Sequence, residues 1–399
     1  YREHQDGGGT MKGYRRPDGR FGIRNHVLIL STVGCANMMV RKIAAQVPGA
    51  VALENSKGCG QVGSGREIMR RCLFNLTLNP NVYGTLIVGL GCETTKPYEL
   101  ADEIRQVSDK PLEVITIQDC GGSVRALERG VEIAQKLVED ASKVEREPMD
   151  LGDLLLGTNC GGSDATSGLA ANPVIGVVSD KVVAAGGTVM LGETTELIGT
   201  EDILASRAAS PEVADDIYKI VHGLEQSFVE AGVDVRGANP SPGNMKGGLS
   251  TLEEKALGGI SKGGTTPITQ VVPYGVRPTE SGLTIMDTPG YDIESVSGMT
   301  CGGAQVLMFS TGRGTPIGNP LIPVIKVTGN CETYARMSDN IDFDASGAVE
   351  GTSTIAELGE SLYQMLEDIC DGVEPAAERL GFNDFSIFHN QEVWCTCIP

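Results

Sequence analysis

Short apolar runs alternate with helical segments along the chain, and this alternation limits the fold more than any other feature of the sequence. The first three runs are HVLILSTVG (26–34), YGTLIVGLG (83–91) and LEVITIQ (112–118), and each is followed by apolar side chains at helical spacing. Continuous apolar strands that alternate with amphipathic helices form a parallel sheet covered by helices on both faces. The pattern therefore predicts an α/β protein with two Rossmann-like layered domains and mostly parallel sheets.

The alternation stops and restarts around KVEREPMD (143–150), a charged stretch that contains a proline. Because 399 residues are too many for one simple core, we place a domain boundary there. We predict an N-terminal α/β domain over 13–145 and a C-terminal catalytic α/β domain over 146–399. Residues 1–12 are predicted to be a tail or tag remnant, with Met11 as the natural start. Further strands are expected at DLLLG, TVMLGE, GLTIMDTPG, AQVLMFSTG and IPVIKVTG, and further helices at 173–185, 211–231 and 354–371.

The charge of the chain excludes two classes of partner. Its formal net charge is −20, whereas proteins that bind nucleic acid or anionic membranes need a basic surface. No segment approaches the roughly 18 consecutive apolar residues that a membrane span needs, and the N-terminal residues lack the apolar core of a signal peptide. We therefore predict a cytoplasmic protein that binds neither nucleic acid nor membrane and holds any anionic substrate by local positive charge.

The chain contains eleven cysteines, and in a cytoplasmic protein these are not expected to form a disulfide framework. Some can fill the core, since free cysteine is readily buried. Six of them lie next to glycine, a position that core cysteines have no reason to prefer: Cys35, Cys59, Cys92, Cys120, Cys160 and Cys301. Metal-ligand, iron–sulfur and nucleophile roles are all open for this group.

The strongest candidate for a site is the run LLLGTNCGGSD, which ends at Asp164. A strand that ends in Cys-Gly-Gly brings an ionisable side chain to a tight turn, where backbone amides can approach a ligand closely. Open α/β sheets bind ligands outside the carboxyl ends of their strands. Cys160 and Asp164 can therefore bind a metal or move protons, and the alternative is a tight turn around a buried thiol. The segment MTCGG (299–303) is similar but precedes its strand.

Two other strand ends carry carboxylates. In GETTE, Glu193 and Glu196 share one face if a helix starts there, which suits a cation or an acid–base pair. The alternative is a helix N-terminus with favourably placed acids. Asp287 in MDTPGYD is a further metal or acid–base candidate. That segment resembles the DxxG turn of GTP-binding proteins, but the chain has no P-loop, so the resemblance carries no weight.

Three segments offer groups that can hold an anion. NPSPGNMKGG contains Asn244 and Lys246, SKGGTT contains Lys262 and Thr265, and STGRGT contains Arg313. Lysine among amides and hydroxyls suits a carboxylate or phosphate, and arginine can bind a carboxylate through two parallel hydrogen bonds. The alternative for each segment is a surface turn. With only four histidines, a histidine-rich zinc site and a Ser-His-Asp hydrolase are not expected.

Long blocks of the sequence resemble the altronate/galactarate dehydratase family. They extend in order from about Gly13 to Gly351, and include GYRRPDGRFGIRNHVLILSTVGC, NPNVYGTLIVGLGCE, TNCGGSDATSGLAANP, GETTELIG, NPSPGNMKGGLSTLEEKALGGISKGGTT, MDTPGYD and FSTGRGTPIG. Full-length members of this family carry a small N-terminal SAF-type domain. This chain resembles the split arrangement, in which a separate small SAF-domain subunit is the partner. A homo-oligomer is also expected.

The resemblance implies dehydration of a sugar acid to a 2-keto-3-deoxy acid, through removal of the α-proton and loss of the 3-hydroxyl, with Fe²⁺ or Mn²⁺ as the metal. A divalent metal chelated by the substrate would act as a Lewis acid. We expect catalytic roles for Glu193, Lys262, Asp287 and Asp164. We expect the substrate to be bound by Asn244, Lys246, Thr265, Arg313 and Ser163, and the metal by Cys59, Cys92, Cys160 and Glu193.

Three alternatives stay open at this point. Cys59, Cys92 and Cys160 could supply three thiolates to a [4Fe-4S] cluster from separate glycine turns. The chain could be a carbon–sulfur lyase that releases sulfite from sulfolactate, because the large subunit of sulfolactate sulfo-lyase belongs to the same family. It could also be a non-catalytic, anion-binding regulatory subunit, although binding alone needs few titratable groups. Cys301 has no assigned role.

Overall fold

The computed structural model describes residues 11–61 and 63–389. The strands are β1 (Lys12–Arg15), β2 (Phe21–Gly22), β3 (His26–Ser31), β4 (Ala50–Leu53), β5 (Val82–Gly89), β6 (Leu112–Thr116), β7 (Glu147–Pro148), β8 (Leu155–Cys160), β9 (Thr188–Leu191), β10 (Ile268–Val272), β11 (Gly282–Met286), β12 (Val306–Ser310), β13 (Val324–Thr328) and β14 (Phe343–Asp344). The α-helices are α1 (Asn37–Ala44), α2 (Gly63–Leu78), α3 (Pro97–Arg105), α4 (Ser123–Ala141), α5 (Asn172–Ala184), α6 (Glu201–Ser206), α7 (Pro211–Glu230), α8 (Val235–Ala238), α9 (Pro242–Lys246), α10 (Leu252–Ile260), α11 (Asp292–Cys301), α12 (Cys331–Arg336), α13 (Gly347–Glu350), α14 (Ile355–Cys370) and α15 (Ala376–Leu380). Shorter 3-10 or π-helical turns cover Gly34–Ala36, Leu151–Asp153, Ser167–Ala171, Thr194–Glu196 and Ser261–Gly263.

The first unit is built on a four-stranded parallel sheet in the order β4-β3-β5-β6. Side chains alternate along β3, so that Val27 and Ile29 pack with α1 and α4 while Leu28 and Leu30 face the opposite layer. The three strands predicted here are confirmed. Two elements were not predicted from the sequence: β4, which has only four residues, and the helix α2.

The second unit is built on a seven-stranded parallel sheet in the order β10-β11-β9-β8-β12-β13-β14. All six residues of β8 are buried, and α5 and α14 pack over one face of the sheet. The chain moves from β8 to one side of the sheet and later returns on the other side with β12. This change of direction places the switch point of the sheet beside β8, where α/β proteins usually bind ligands.

Buried contacts fuse the two units. Leu30 of β3 and Phe309 of β12 belong to one hydrophobic cluster. At the same joint, the side-chain amide of Asn79 donates to the carbonyl oxygens of Thr300 and Ala304, both at 2.9 Å. Because buried polar groups need partners, these bonds fix the relative position of the units.

The N-terminal boundary predicted for the folded part is slightly wrong. Met11 is buried in the core, and Lys12 begins β1, which lies between β2 and β7 in a small antiparallel sheet. These two residues were assigned to the tail, whereas residues 1–10 of that segment lie outside the described residues. The strand β1 therefore joins the start of the first unit to Glu147–Pro148 at the start of the second.

The α-helices are between 4 and 20 residues long. Among the helices within residues 11–61 and 63–389, none is long and apolar enough to cross a membrane.

Candidate active site

A cavity of about 580 Å³ opens at the carboxyl edge of the seven-stranded sheet. It is bordered by the loops that follow β8, β9, β11 and β12 and by the helices α9 and α10. The lining residues are Cys160, Gly161, Gly162, Ser163, Glu193, Glu196, Ser241, Gly243, Asn244, Lys255, Gly290, Asp292, Arg313 and Gly314. The cavity therefore lies at the switch point and carries both carboxylates and cations.

A buried ion pair forms the floor of this pocket. Lys262 and Glu193 are each 1% exposed, and the Lys262 Nζ lies 3.1 Å from Glu193 Oε2. The same carboxylate oxygen accepts from the amide of Cys160 at 2.8 Å. Lys262 Nζ also donates to Cys160 Sγ at 3.3 Å. Glu193 and Cys160, from two distant parts of the chain, thus meet at the Lys262 ammonium.

The protonation of this floor follows from burial and neighbouring charge. Burial, and then the Glu193 charge, raise the pKa of Cys160, so the thiol stays protonated. Burial alone would lower the pKa of Lys262, but the neighbouring carboxylates Glu193 and Glu196 outweigh burial and raise it. Lys262 is therefore an ammonium at neutral pH, suited to stabilise negative charge and unsuited to accept a proton.

Glu193 has a left-handed backbone, with φ of 64°. For a residue other than glycine such a conformation costs roughly 1–3 kcal/mol and persists only where surrounding contacts enforce it. Here its amide donates to Thr288 Oγ1 at 2.6 Å, and Thr288 is linked through Ser295 to Asn159 on β8. The strained turn is therefore anchored to three segments of the second unit, and it directs the Glu193 carboxylate beneath Cys160.

Two further carboxylates lie on the pocket wall. Glu196 pairs through Oε1 with Lys255 Nζ at 2.7 Å, while its buried Oε2 has no hydrogen-bond partner in the described part of the chain. Asp292 begins α11 and lies so close to Gly161 that a Cβ atom there would be 2.3 Å from its Oδ2. Burial, followed by the charges of Glu193 and Glu196, raises the pKa of Asp292 to about 7. Asp292 can therefore gain or lose a proton near neutral pH.

The opposite wall offers hydrogen-bond donors. The Asn244 side-chain amide donates to the Ser163 carbonyl at 2.9 Å, which fixes α9 against the turn after β8. The Arg313 amide donates to Gly162 O and its guanidinium to Gly243 O, both at 3.0 Å. Arg313 is otherwise exposed, so most of its donors remain available to an anion in the cavity.

The structure brings together six of the residues predicted for the site, although they come from five separate sequence motifs. Five line the pocket and the sixth, Lys262, forms its floor: Cys160, Ser163, Glu193, Asn244, Lys262 and Arg313. The role of each in catalysis or binding stays a prediction.

Asp164 and Asp287, predicted to be catalytic, do not line the pocket. Asp164 accepts hydrogen bonds from Ser167 and Thr166 through Oδ1 and from Asn330 through Oδ2, so both oxygens serve the turn after β8. Asp287 Oδ1 accepts from Thr194 Oγ1 at 2.6 Å and supports the turn that carries Glu193. Both acids therefore support turns that carry other residues, and their catalytic roles stay predictions.

Lys246 and Thr265, predicted to bind substrate, also lie outside the pocket. Lys246 is exposed at the end of α9. Thr265 bonds to Asp180 of α5 through both its amide, at 2.7 Å, and its hydroxyl, at 2.9 Å. Local sequence placed both beside glycines, but the chain directs their side chains elsewhere.

The cysteines predicted to be metal ligands are not brought together. Cys59 and Cys92 are exposed on loops of the first unit, whereas Cys160 is buried beneath the pocket of the second. Within residues 11–61 and 63–389, no group of three or more His, Cys, Asp or Glu side chains is arranged to hold a metal ion. Cys301 is also away from the pocket, buried against Cys72 where α11 meets α2.

Two pocket residues were missed in the sequence. Lys255 lies in TLEEKALGGI, where a lysine after two glutamates is typical of a solvated helix face. Only the packing of α10 beside the turn Thr194–Glu196 brings it to Glu196. Asp292 lies five residues after the predicted Asp287 in MDTPGYD, so the motif was found but the acid that lines the pocket was not singled out.

A parallel α/β sheet with titratable groups gathered at its switch point is typical of an enzyme active site. Family models agree with that class. "D-galactarate/Altronate dehydratase, C-terminal" matches residues 151–393, and "D-galactarate dehydratase/Altronate hydrolase, second domain" matches residues 13–142. The chain belongs to the galactarate and altronate dehydratase family, whose members' names mark it as an enzyme of the hydro-lyase type.

Individual relatives are similar over nearly the whole chain. It is 36% identical to an altronate dehydratase of Bacillus subtilis, with 95% of this chain and 77% of the relative covered. It is 34% identical to a galactarate dehydratase (L-threo-forming) of Escherichia coli, with 96% and 76% covered. It is 35% identical to the (2R)-sulfolactate sulfo-lyase subunit beta of Chromohalobacter salexigens, with 95% and 97% covered. The family resemblance found in the sequence is confirmed.

Proposed function

We propose that this enzyme dehydrates a sugar acid of the altronate or galactarate type to a 2-keto-3-deoxy acid. The observation that carries the proposal is the pocket itself, in which Asp292 faces a cavity that also presents Glu193, the Lys262 ammonium beneath it and the exposed Arg313. A proton-transfer group, a buried cation and a carboxylate-binding arginine are the parts that removal of an α-proton from a sugar acid requires.

The substrate carboxylate is held by Arg313, with the amide of Gly162 as an additional donor. Ser163 and Asn244 border the same wall and offer hydrogen-bonding groups to the sugar hydroxyls. Local positive charge is needed here because the protein as a whole repels anions at a net charge of −20.

Asp292 is the group that accepts the α-proton. A base with a pKa near the working pH is the most effective, and Asp292 has a pKa of about 7. Electrons from the broken C–H bond form the enol double bond as the 3-hydroxyl leaves, and that hydroxyl must gain a proton to depart as water. The enol then tautomerises to the keto acid. The Lys262 ammonium stabilises negative charge as it develops.

The carboxylates fit a divalent cation better than an iron–sulfur cluster. Glu196 Oε2 is buried without a partner among the described residues, and Glu193 lies on the same loop, so these two acids would hold Fe²⁺ or Mn²⁺ together with oxygens of the substrate. A cation there would supply Lewis-acid polarisation of the substrate carboxylate. Cys160 does not fit as a soft ligand, because burial keeps the pKa of its thiol high and the thiol is bonded to Lys262.

The test is an assay of keto-acid formation from altronate, galactarate and their epimers, with the purified protein supplemented with Fe²⁺ or Mn²⁺. We expect turnover of at least one hexonate or hexarate, with release of water and no other fragment. Absence of keto acid from every sugar acid, with metal and candidate partner subunit present, would refute dehydration.

One relative favours a second candidate. The (2R)-sulfolactate sulfo-lyase subunit beta is 35% identical to this chain, about as similar as the B. subtilis altronate dehydratase at 36%. A carbon–sulfur lyase that releases sulfite from sulfolactate would use the same base, because proton removal beside a carboxylate precedes loss of either leaving group. Sulfite released with the keto acid from sulfolactate, and no keto acid from sugar acids, would establish this alternative.

We further propose a cytoplasmic assembly with a separate small SAF-domain subunit and with further copies of this chain. The support is that a relative matched over 97% of its length is named a subunit beta. Co-expression with a candidate small subunit, followed by size-exclusion chromatography with light scattering, tests the assembly. A monomer that is fully active alone would contradict it.

A further inference from the structure

The carboxyl edge of the first sheet carries a second cluster of reactive groups that the proposed reaction does not use. Cys35 follows β3, Cys59 follows β4 and Cys92 follows β5, and all three are exposed. These strands are neighbours in the sheet, with β3 in the middle. Free cysteine is usually buried, so three exposed cysteines on adjacent loops need an explanation.

Hydrogen bonds tie the three loops together close to the cysteines. The amide of Gly34, beside Cys35, donates to Lys57 O at 2.8 Å. The amide of Thr94 donates to Gly58 O at 3.2 Å, and the amide of Gly60 donates to Thr94 Oγ1 at 3.3 Å. Gly58 and Gly60, on either side of Cys59, therefore contact the Cys92 loop. Lys57, two residues before Cys59, contacts the Cys35 loop.

Buried polar groups hold the loops in these positions. Glu93, next to Cys92, is 1% exposed and accepts from Thr32 Oγ1 at 2.8 Å and from the amides of Leu90 and Gly91. Gly58 has φ of 106°, and a Cβ atom there would lie 2.1 Å from Thr32 O, so only glycine permits this approach. The three loops therefore form one hydrogen-bonded arrangement and not three unrelated turns.

The surroundings favour a negatively charged ligand set. The helices α1, α2 and α3 each begin within a few residues of Cys35, Cys59 and Cys92 respectively, so the positive ends of three helix dipoles lie near this edge of the sheet. In the Cys92 loop, the hydroxyl of Thr95 is buried without a hydrogen-bond partner in the described residues.

We infer that Cys35, Cys59 and Cys92 are the thiolate ligands of a four-iron iron–sulfur cluster at the carboxyl edge of the first sheet. Their side chains are not arranged around a single metal ion. In a four-iron cluster each thiolate binds a different iron, so the ligands stand apart across the whole cluster. Three cysteines leave the fourth iron without a protein thiolate and open to a small ligand. Cys35 thereby replaces Cys160 in the set predicted from sequence.

The C-terminal segment connects this cluster site to the second unit. Gln61, two residues after Cys59, contacts His389 with the Gln61 Nε2 and His389 Nδ1 atoms 3.2 Å apart. Ser386 lies three residues before His389, and its amide donates to Ser297 Oγ of α11 at 3.0 Å. Asp292 of the pocket begins the same helix. A ligand at the three loops is therefore linked structurally to the element that carries the proposed base.

The test is anaerobic reconstitution of the full chain with iron and sulfide, which requires no substrate and so stands or fails separately from the proposed dehydration. We expect roughly four iron and four sulfide ions per chain, with broad visible absorption that decreases on reduction by dithionite. C35A, C59A and C92A should each lose most of the cluster, while C160A and C331A retain it. Cys331 is the matched control, since it is also exposed but lies on α12.

A second measurement does not depend on substitutions. Thiol alkylation followed by mass spectrometry should show Cys35, Cys59 and Cys92 protected in the reconstituted protein and labelled in the apoprotein, with Cys331 labelled in both. Iron bound without sulfide, cluster loss in C160A with retention in C35A, or equal labelling with and without cluster would each overturn the inference.

Discussion

The two parallel sheets present very different chemistry at the same structural position. At the carboxyl edge of the second sheet, Glu193 and Lys262 are almost completely buried and held by a strained turn and a hydrogen-bonded network. At the carboxyl edge of the first sheet, the thiols of Cys35, Cys59 and Cys92 are exposed, although the loops beneath them are firmly bonded.

This difference separates a site completed by folding from one completed by a ligand. Burying charges costs several kcal/mol per ion, which only good pairing offsets, so the geometry of the pocket depends on the fold itself. Exposed thiols cost the fold little, and they gain a fixed arrangement only when something binds them all. Substitutions in the buried pair of Lys262 and Glu193 should therefore affect stability strongly, and substitutions of the exposed thiols weakly.

The largest effect is expected from Lys262→Met. This change leaves Glu193 buried without its counter-ion, so we expect the free energy of unfolding to fall by about 3–5 kcal/mol and turnover to disappear. Denaturant unfolding measures the first and the keto-acid assay the second. Lys246→Met is the control, since Lys246 is exposed and should change stability by less than about 0.5 kcal/mol. Equal effects of the two substitutions would show that the buried pair does not support the fold.

Asp292→Asn should act on rate without loss of stability. Loss of the proton-transfer group should lower kcat by about 10²–10⁴-fold, and the pH profile of the residual activity should lose its limb near pH 7. Gly223→Ala is the control for a substitution far from the pocket and should keep normal turnover, since a Cβ atom there meets nothing within 4 Å and α7 should tolerate it. Normal turnover in Asp292→Asn would remove Asp292 from the mechanism.

The stability of the same variant has a definite pH dependence. The pKa of Asp292 is raised from 3.8 to about 7, so the folded state binds a proton that the unfolded state has already released between those values. The wild type should therefore lose stability as pH rises from about 4 to 7, by on the order of 3 kcal/mol. Asp292→Asn should lack this loss and be the more stable protein at pH 8. Denaturant unfolding of both proteins across this pH range measures the difference, and parallel curves would contradict the raised pKa.

Arg313→Met is expected to have a more limited effect. Removing the exposed guanidinium should raise KM by about 10–100-fold, as the loss of a charge-assisted hydrogen bond of about 1.5–3 kcal/mol implies, while kcat changes less. Arg313→Lys should recover only part of the binding because it cannot form two parallel hydrogen bonds with a carboxylate. A normal KM in Arg313→Met would mean that the substrate carboxylate lies elsewhere in the cavity.

The sequence predicted the strands well because each is a continuous apolar run ending in glycine or cysteine. It failed for α2, whose first turn, GSGR, begins with glycines that disfavour a helix. That helix forms because Met69, Cys72, Leu73 and Leu76 are buried in the core shared by the two units. Such tertiary packing leaves only a weak local signal.

Site residues were predictable where a strand end carried them and not where packing did. Cys160 and Glu193 follow buried strands, so their position could be inferred. Lys255 reaches the pocket only through the packing of α10, and Asp164 is excluded from it by hydrogen bonds to its own turn and to Asn330. A local motif shows that an acid is near a site, but not whether its oxygens are already taken.

The smallest predicted effect tests the exposed edge directly. In cluster-free protein, Cys92→Ser should change the free energy of unfolding by less than about 0.5 kcal/mol, because the side chain is exposed. Cys160→Ser should cost about 1–3 kcal/mol, because the buried thiol is in contact with Lys262 and a smaller hydroxyl leaves that contact unmade. Reconstitution should then stabilise the wild type and not Cys92→Ser, since a ligand stabilises only the state that binds it. If Cys92→Ser were as destabilising as Cys160→Ser before reconstitution, the thiols of the first sheet would belong to the folded core, and the two edges would not differ in the way their exposure indicates.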